Sequence, residues 1–312
     1  MKHLTRIVLC LVLAISMLAM CACGGDNTFE GNFSKEATEA DLTAFVEGVD
    51  TNKLVADQNN LGAELSVNLD VINNTSFGVY SVNTSGNINA SAKLAFSAPA
   101  EGAEMPNIKA EITFGMDAES KAQAQGQSQT AKEDLSANVF FDNTGLYLKA
   151  TMNSNKTGKD VKNEIKGKLD METIMGMVSG MMPMAAGEGS EMGGTINLGT
   201  LLAGLKELGA KIYIDSSDGY KVKVSMSADA VKEIVDNPAL NVNLFDFFLT
   251  INKEGRLVGL KLSLDIGTTS SNQTVGVKGD LVLKINNVSI NTPSDLASYE
   301  DLDMSELGGL LG

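Results

Sequence analysis

The sequence predicts an α+β protein in which about ten to twelve long antiparallel strands form one sheet and three or four helices cover it. Two observations carry this prediction. Long segments alternate apolar and polar residues with a period of two, which is typical of strands with one buried and one solvated face. Shorter segments repeat apolar residues at helical spacing. At 43% hydrophobic residues, the chain is able to bury a core of this kind.

The period-two pattern recurs along most of the chain. Residues 63–71, 88–96 and 108–116 carry apolar residues at every second position, and residues 258–266 repeat the pattern late in the sequence. Residues 135–152 predict two strands joined by the turn Asp142-Asn143-Thr144-Gly145. Nine strand residues span about 30 Å. An apolar face of that length must either be covered or close on itself.

Helix boundaries are marked by capping residues and prolines. Asp170 is placed to cap a helix that stops at Pro183. Gly209 ends a second helix, whose leucines share one side. Ser227 caps a third helix, which stops before Pro238. The predicted helical ranges are 41–57, 170–182, 197–208, 228–237 and, as a single turn, 294–299.

Three polar segments interrupt these patterns. Residues 117–133 are rich in Ala, Gln, Ser and Lys and predict a solvated loop or frayed strand ends. Residues 185–195 are rich in Gly and predict a loop. The run Asp215-Ser216-Ser217-Asp218-Gly219 predicts a hairpin turn. Calcium binding is the alternative, but the run lacks the alternating ligands and terminal Glu of a calcium loop.

The N-terminal segment predicts export. Lys2 and Arg6 precede an uncharged apolar run over residues 7–20, which is too short to span a bilayer and fits a signal peptide. The run ends at Met20-Cys21-Ala22-Cys23-Gly24-Gly25, which resembles the lipobox of bacterial lipoproteins. Cys23 is the predicted diacylated residue, because small Ala22 suits the cleavage position. Cys21 is the rival, preceded by bulky Met20. Two acyl chains suffice for stable anchoring.

Removal of this segment restricts the chemistry of the mature chain. The only histidine, His3, leaves together with Cys10 and Cys21, so that Cys23 is the only remaining cysteine. Catalysis by Ser-His-Asp or Cys-His and the common zinc sites are therefore excluded. Loss of Lys2 and Arg6 from a chain of net charge −15 leaves −17. So acidic a domain is a poor partner for nucleic acid and is repelled by anionic lipid headgroups.

The lipobox, the mid-chain helices and a late strand pair form a layout with a known counterpart. The strand pair covers residues 248–262 and is joined by Asn252-Lys253-Glu254-Gly255. This layout resembles bacterial lipoproteins with a lipoprotein-carrier-like fold, which include periplasmic lipoprotein carriers and mycobacterial lipid-carrying lipoproteins. Over residues 40–290 the resemblance implies a curved antiparallel half-barrel with helices on its concave side. Some members bind acyl chains there, and the resemblance implies no catalytic residue.

The predicted organisation follows from these features. Residues 1–22 form the signal peptide, 23–38 a flexible Gly- and Asn-rich tether, 39–292 a single β-rich domain, and 293–312 an acidic, Gly-rich tail.

A methionine cluster follows the first half of the predicted sheet. Flexible thioether side chains suit a lid over an apolar ligand. Packing of a Met-rich helix face on the sheet is the leading alternative, and copper(I) binding is a further one. The proposed lid residues are Met171, Met175, Met177, Met181 and Met182.

The expected function is that of a non-enzymatic lipoprotein on the extracytoplasmic face of the cell membrane, with no metal and no cofactor. A lipid or another apolar ligand is expected between sheet and helices. The alternative is a structural or protein-interaction module with a filled core. Paired carboxylates such as Asp246 and Asp265 suggest glycoside hydrolysis. The absence of tryptophan, however, argues against a sugar-binding platform.

Overall fold

Twelve strands of the described residues form one open, curved sheet. The computed structural model describes residues 29–50, 54, 60–99, 107–155, 160–171, 173, 198–285 and 288–302. The strands are β1 (Asn60–Phe77), β2 (Tyr80–Ser97), β3 (Asn107–Ala124), β4 (Gln127–Asp142), β5 (Gly145–Ser154), β6 (Val161–Asp170), β7 (Lys211–Asp215), β8 (Tyr220–Ser225), β9 (Leu240–Ile251), β10 (Leu257–Thr269), β11 (Gln273–Ile285) and β12 (Glu300–Asp301).

The order across the sheet is β12-β6-β5-β4-β3-β2-β1-β11-β10-β9-β8-β7. The sheet therefore consists of two meanders, β1–β6 and β7–β11, which are joined by the pairing of β1 with β11. This pairing runs from Ala63 opposite Ile285 to Thr75 opposite Gln273. Neighbouring strands are antiparallel except β12, which runs parallel to β6. The large, mainly antiparallel sheet predicted from the alternation is thus present.

The polar segment 117–133 is not the solvated loop that was one of its two predicted alternatives, and its strand ends are paired rather than frayed. It forms the outer half of a regular hairpin of β3 and β4, paired from Asp117 opposite Asp134 to Ala124 opposite Gln127. Gln125 and Gly126 both have positive φ angles, of 49° and 84°, as in a type I′ turn that matches strand twist. Backbone pairing holds this hairpin where few large apolar side chains are present.

Three α-helices and one 3-10 turn lie among the described residues: α1 (Glu39–Gly48), α2 (Leu198–Glu207), α3 (Ala228–Val235) and the turn Leu296–Ser298. The predictions for α2 and α3 are confirmed, with Gly209 at a φ of 81° after α2 and the Ser227 hydroxyl accepting from Ala230 N at 3.2 Å. Asp170 also accepts from Thr173 N, at 2.7 Å, as expected of an N-cap.

The predicted limits of the first helix, 41–57, are wrong. Helix α1 begins at Glu39, because Thr38 and Asp41 form a reciprocal capping box. It ends at Gly48, and the next residue, Val49, is extended.

The core lies under the helices in two clusters. In one, Val231 of α3 packs with β9, β10, β11 and β1. In the other, Phe45 of α1 and Leu202 of α2 pack with β7, β8 and β9. Neither cluster extends past Ile88 of β2. The helices were expected to cover the apolar face of the sheet, but in the described part of the chain they cover only its β7–β11 half and β1.

The opposite, polar face of the sheet carries the two terminal segments. At the N-terminal side, the Phe29 ring lies against Gly259, and Asn32 N donates to Asp215 Oδ2 at 2.8 Å. At the C-terminal side, Lys166 pairs with Asp295 at 3.0 Å. Each half of the sheet is thus held by one terminal segment. Among the described residues, no helix has the length and apolar character needed to cross a membrane.

Candidate ligand-binding surface

The space between helices and sheet is filled wherever the described helices lie. Phe45, Ile251, Leu283 and Ile285 are almost fully buried. Phe45 also makes an edge contact with Tyr220, with ring centroids 5.2 Å apart. Among the described residues, the core beneath the helices therefore consists of side chains packed against one another.

An open groove lies instead between α1 and α2 on the outer side of this core. It has a volume of about 570 Å³, and Leu42, Val46 and Leu202 line its floor. Glu39 and Lys206 form an ion pair across its rim. The groove is wide open to solvent and bordered by charges, so it is a poorer site for an apolar ligand than the surface described next.

A larger apolar surface occupies the other half of the sheet. Cross-strand pairing of β2, β3, β4 and β5 aligns four rows of four residues, all of them apolar. We call this surface the apolar array. Its rows are Leu94–Ala110–Phe141–Leu146, Ala92–Ile112–Val139–Leu148, Ala90–Phe114–Ala137–Ala150 and Ile88–Met116–Leu135–Met152.

The array remains partly exposed to solvent. Ile112, near its centre, is 43% exposed, and Leu94 at its edge is also exposed. Most other members are half-buried. Large contiguous apolar surfaces that stay exposed in a folded domain are typical of interaction sites.

Polar residues border the array at the end that carries the β1–β2 turn. The next row places Glu133 opposite Ser154, and the Ser154 hydroxyl donates to Glu133 Oε1 at 3.4 Å. A carboxylate at this border repels the anionic head of a free fatty acid. An anionic lipid head is therefore disfavoured beside this end of the array.

The carboxylates of Asp215, Asp218 and Asp246 accept hydrogen bonds or form ion pairs that stabilise the fold. Hydrogen bonds from Asn32 N and Ser217 hold the pKa of Asp215 below its ordinary value, and Lys253 does the same for Asp218. These contacts stabilise the 215–219 turn, which is a hairpin turn as predicted. The paired carboxylates Asp246 and Asp265 lie on adjacent strands, and Asp246 pairs with Lys223 at 2.8 Å. The described residues contain no cluster of His, Cys, Asp and Glu suited to a metal ion.

The predicted site residues fall mostly outside the described part of the chain. Cys23 does so, and so do the four proposed lid residues Met175, Met177, Met181 and Met182. Met171 is described and half-buried, and it follows β6 at the end of the sheet that bears the Leu94 row.

The alternation of apolar and polar residues in these strands is visible in the sequence. The sequence does not show that the apolar array is left uncovered by the helices. A signal was present in the small side chains that recur at apolar positions, among them Ala90, Ala92, Ala110 and Ala137. Small residues flatten a sheet face and leave room for a ligand to lie beside larger neighbours such as Ile112.

Comparison with known proteins assigns no family. Neither a protein-family model nor a curated protein matches the sequence. A beta-barrel-like protein of the domain of unknown function DUF1849 from Brucella abortus matches 74% of this chain and 99% of its own length, at 12% identity and a TM-score of 0.19. A score this low does not establish a common fold.

Proposed function

We propose that this protein is a lipid-anchored, non-enzymatic protein of the cell envelope that binds an acyl lipid on the apolar array. The observation that carries the proposal is the array itself, an apolar surface of four strands that continues beyond the helix-covered core and remains partly exposed. Burial of apolar surface provides about 25 cal/mol per Å², so a ligand that covers the array gains substantial binding energy.

The shape of the array suits an acyl chain. From Ile88 to Leu94 it extends about 20 Å along the strands, comparable to an extended long-chain acyl group. No hydrogen-bonding side chain interrupts its rows. Binding there would therefore be driven by apolar contact and would discriminate weakly among acyl chains.

The anchor in this proposal is a diacylglyceryl group on Cys23. It would hold the domain at the extracytoplasmic face of the cell membrane, close to a supply of lipids. Some members of the lipoprotein group that the sequence resembles bind acyl chains on such a sheet, which agrees with the proposed binding on the array.

A structural or interaction module is the second candidate function. The filled space under α1, α2 and α3 favours it, because a carrier that used this space would need a cavity of about 300 Å³ or more. The two candidates differ in whether an apolar molecule occupies the array.

Ligand binding is tested on a chain that begins at Asn27 and so retains every described residue. The purified protein is examined by native mass spectrometry and lipid extraction, and it is titrated with Nile red, an uncharged apolar dye. Because a polar side chain at the centre of the array removes apolar contact, Ile112→Asn is expected to weaken dye binding about threefold to tenfold.

The matched control is Ile72→Asn. Ile72 is 42% exposed, against 43% for Ile112, but it lies on the opposite face of the sheet. The control is expected to bind the dye as the unchanged chain does. Equal binding by all three proteins, with no lipid extracted from repeated preparations, would reject ligand binding and favour the structural module.

A further inference from the structure

Three hairpin turns lie side by side at one end of the sheet. The β1–β2 and β3–β4 turns are adjacent, since Tyr80 pairs with Ala124. The β10–β11 turn adjoins them on the other side, where Ser76 N donates to Asn272 O at 2.8 Å. We call residues 75–82, 122–129 and 268–275 together the hairpin end.

The β1–β2 turn presents large apolar side chains to solvent. Phe77, Val79 and Tyr80 are 62%, 69% and 51% exposed, and Val82 beside them is also exposed. The turn is tight, with Gly78 at a φ of 62°. These side chains therefore project from the tip of the sheet, and the described residues leave more than half of each of the three exposed.

The same hairpins lack acidic and basic side chains over long stretches. Residues 71–92, 122–131 and 266–277 contain no Asp, Glu, Lys, Arg or His, in a chain whose net charge is −15. Charge is thus kept away from three turns that are distant in sequence and adjacent in space. Solubility alone would favour charged residues at exposed turns.

We propose that the hairpin end docks on the surface of a lipid bilayer, with Phe77, Val79 and Tyr80 entering the boundary between headgroups and acyl chains. The Tyr80 ring suits that depth because its body is apolar and its hydroxyl is polar, and the purely apolar side chains of Phe77 and Val79 gain from leaving water. The uncharged turns avoid the cost of placing ions there. The acidic body of the protein directs this docking to zwitterionic rather than anionic headgroups.

A second copy of the chain fits this surface less well. The exposed tip side chains amount to roughly 400 Å², taking an aromatic side chain at about 200 Å². A stable dimer buries about 800 Å² on each partner. The tip is also narrow, whereas a bilayer needs no complementary surface.

The docking inference goes beyond the proposed ligand binding and does not depend on it, since the hairpin end and the apolar array share no residue. Its first test uses the absence of tryptophan from the sequence. Val79→Trp, in the chain that begins at Asn27, provides a single reporter at the tip. Adding phosphatidylcholine vesicles is expected to shift its emission to the blue. The control Ile234→Trp, at a 57% exposed position of α3, is expected to keep its emission unchanged.

The second test measures vesicle partition by co-sedimentation. The triple variant Phe77→Ser, Val79→Ser, Tyr80→Ser is expected to lose at least about tenfold in partition to phosphatidylcholine vesicles. The double variant Leu201→Ser, Ile234→Ser removes exposed apolar side chains elsewhere and is expected to partition normally. Circular dichroism and thermal unfolding verify that each variant is folded.

Salt and lipid charge complete the test. Partition driven by apolar insertion is expected to persist in high salt and to fall when phosphatidylglycerol is added to the vesicles. Equal partition of the triple variant and the unchanged chain would overturn the proposal. So would a tip-dependent dimer in sedimentation analysis without vesicle binding, which would identify a second copy as the partner.

Discussion

Gly219 has a conformation that few other residues tolerate. It ends the 215–219 turn with a φ of 77°, in the left-handed region. A β-carbon at this position would collide with the carbonyl oxygen of Ile251. The backbone of the β7–β8 hairpin therefore passes too close to the end of β9 for any side chain.

Replacing Gly219 with alanine is expected to lower the free energy of unfolding by about 1–3 kcal/mol, because the variant adds left-handed strain and a backbone collision. The measurement is urea unfolding of the chain that begins at Asn27. Gly204→Ala in α2 is the matched control, since nothing lies within 4 Å of the added β-carbon. There alanine favours the helix and is expected to stabilise it by about 0.5–1 kcal/mol. Equal effects of the two substitutions would contradict this explanation.

Among the elements, α1 depends most clearly on its first turn. Thr38 N donates to Asp41 Oδ2 at 2.8 Å, and Asp41 N donates to Thr38 Oγ1 at 3.3 Å. The Thr38 hydroxyl and backbone hydrogen bonds hold the pKa of Asp41 below its ordinary value. This capping box sets the start of a helix whose Phe45 fills the second core cluster.

Thr38→Ala is expected to lower the free energy of unfolding by about 1 kcal/mol at neutral pH. Because the pKa of Asp41 is lowered by folding, its stabilising contribution is complete above the ordinary aspartate pKa of about 4 and is lost as the pH falls through the lowered pKa. The difference between variant and unchanged chain should therefore shrink in acid. Unfolding titrations at several pH values measure it.

Thr43→Ala is the control within the same helix. Its hydroxyl donates to Glu39 O at 2.9 Å inside the helix, where alanine has the higher helix propensity. This variant is expected to be as stable as the unchanged chain, or more so, at every pH. A loss equal to that of Thr38→Ala would show that the capping box is not the cause.

The whole molecule has two proposed membrane contacts at opposite ends of its strands. Phe29 docks at Gly259, at the level of Lys284 and Glu64. From Glu64 to the hairpin end the sheet extends about 40 Å. A fully extended chain from residue 23 to Phe29 spans at most about 20 Å. Both contacts reach one bilayer only when the strands lie at a low angle to its surface.

The anchor has its own test in cells. Cys23→Ser in the full chain is expected to move the protein out of washed membranes, because removal of a diacyl anchor leaves only reversible contacts. Cys21→Ser is expected to leave the protein in the membrane fraction. The measurement is immunodetection in washed membrane and soluble fractions. Retention of Cys23→Ser together with release of Cys21→Ser would transfer the anchor to Cys21.

The sequence alone determined features that depend on neighbours along the chain. Alternation in residues 63–71 and 88–96 predicted strands with one apolar face, and Ser227 and Gly209 marked helix ends, because side-chain period and capping are local properties. For residues 117–133 the sequence left a loop and frayed strand ends as alternatives, because their pairing depends on the backbone of the partner strand and not on apolar side chains.

Only the tertiary structure decided which part of the apolar face is covered and which turns meet. Alternation shows that a strand has an apolar face, but it carries no information on what packs there. The pairing of β1 with β11 joins segments about two hundred residues apart. That non-local contact places α1, α2 and α3 over one half of the sheet, leaves Ile112 and its neighbours partly exposed, and brings three uncharged turns to one end.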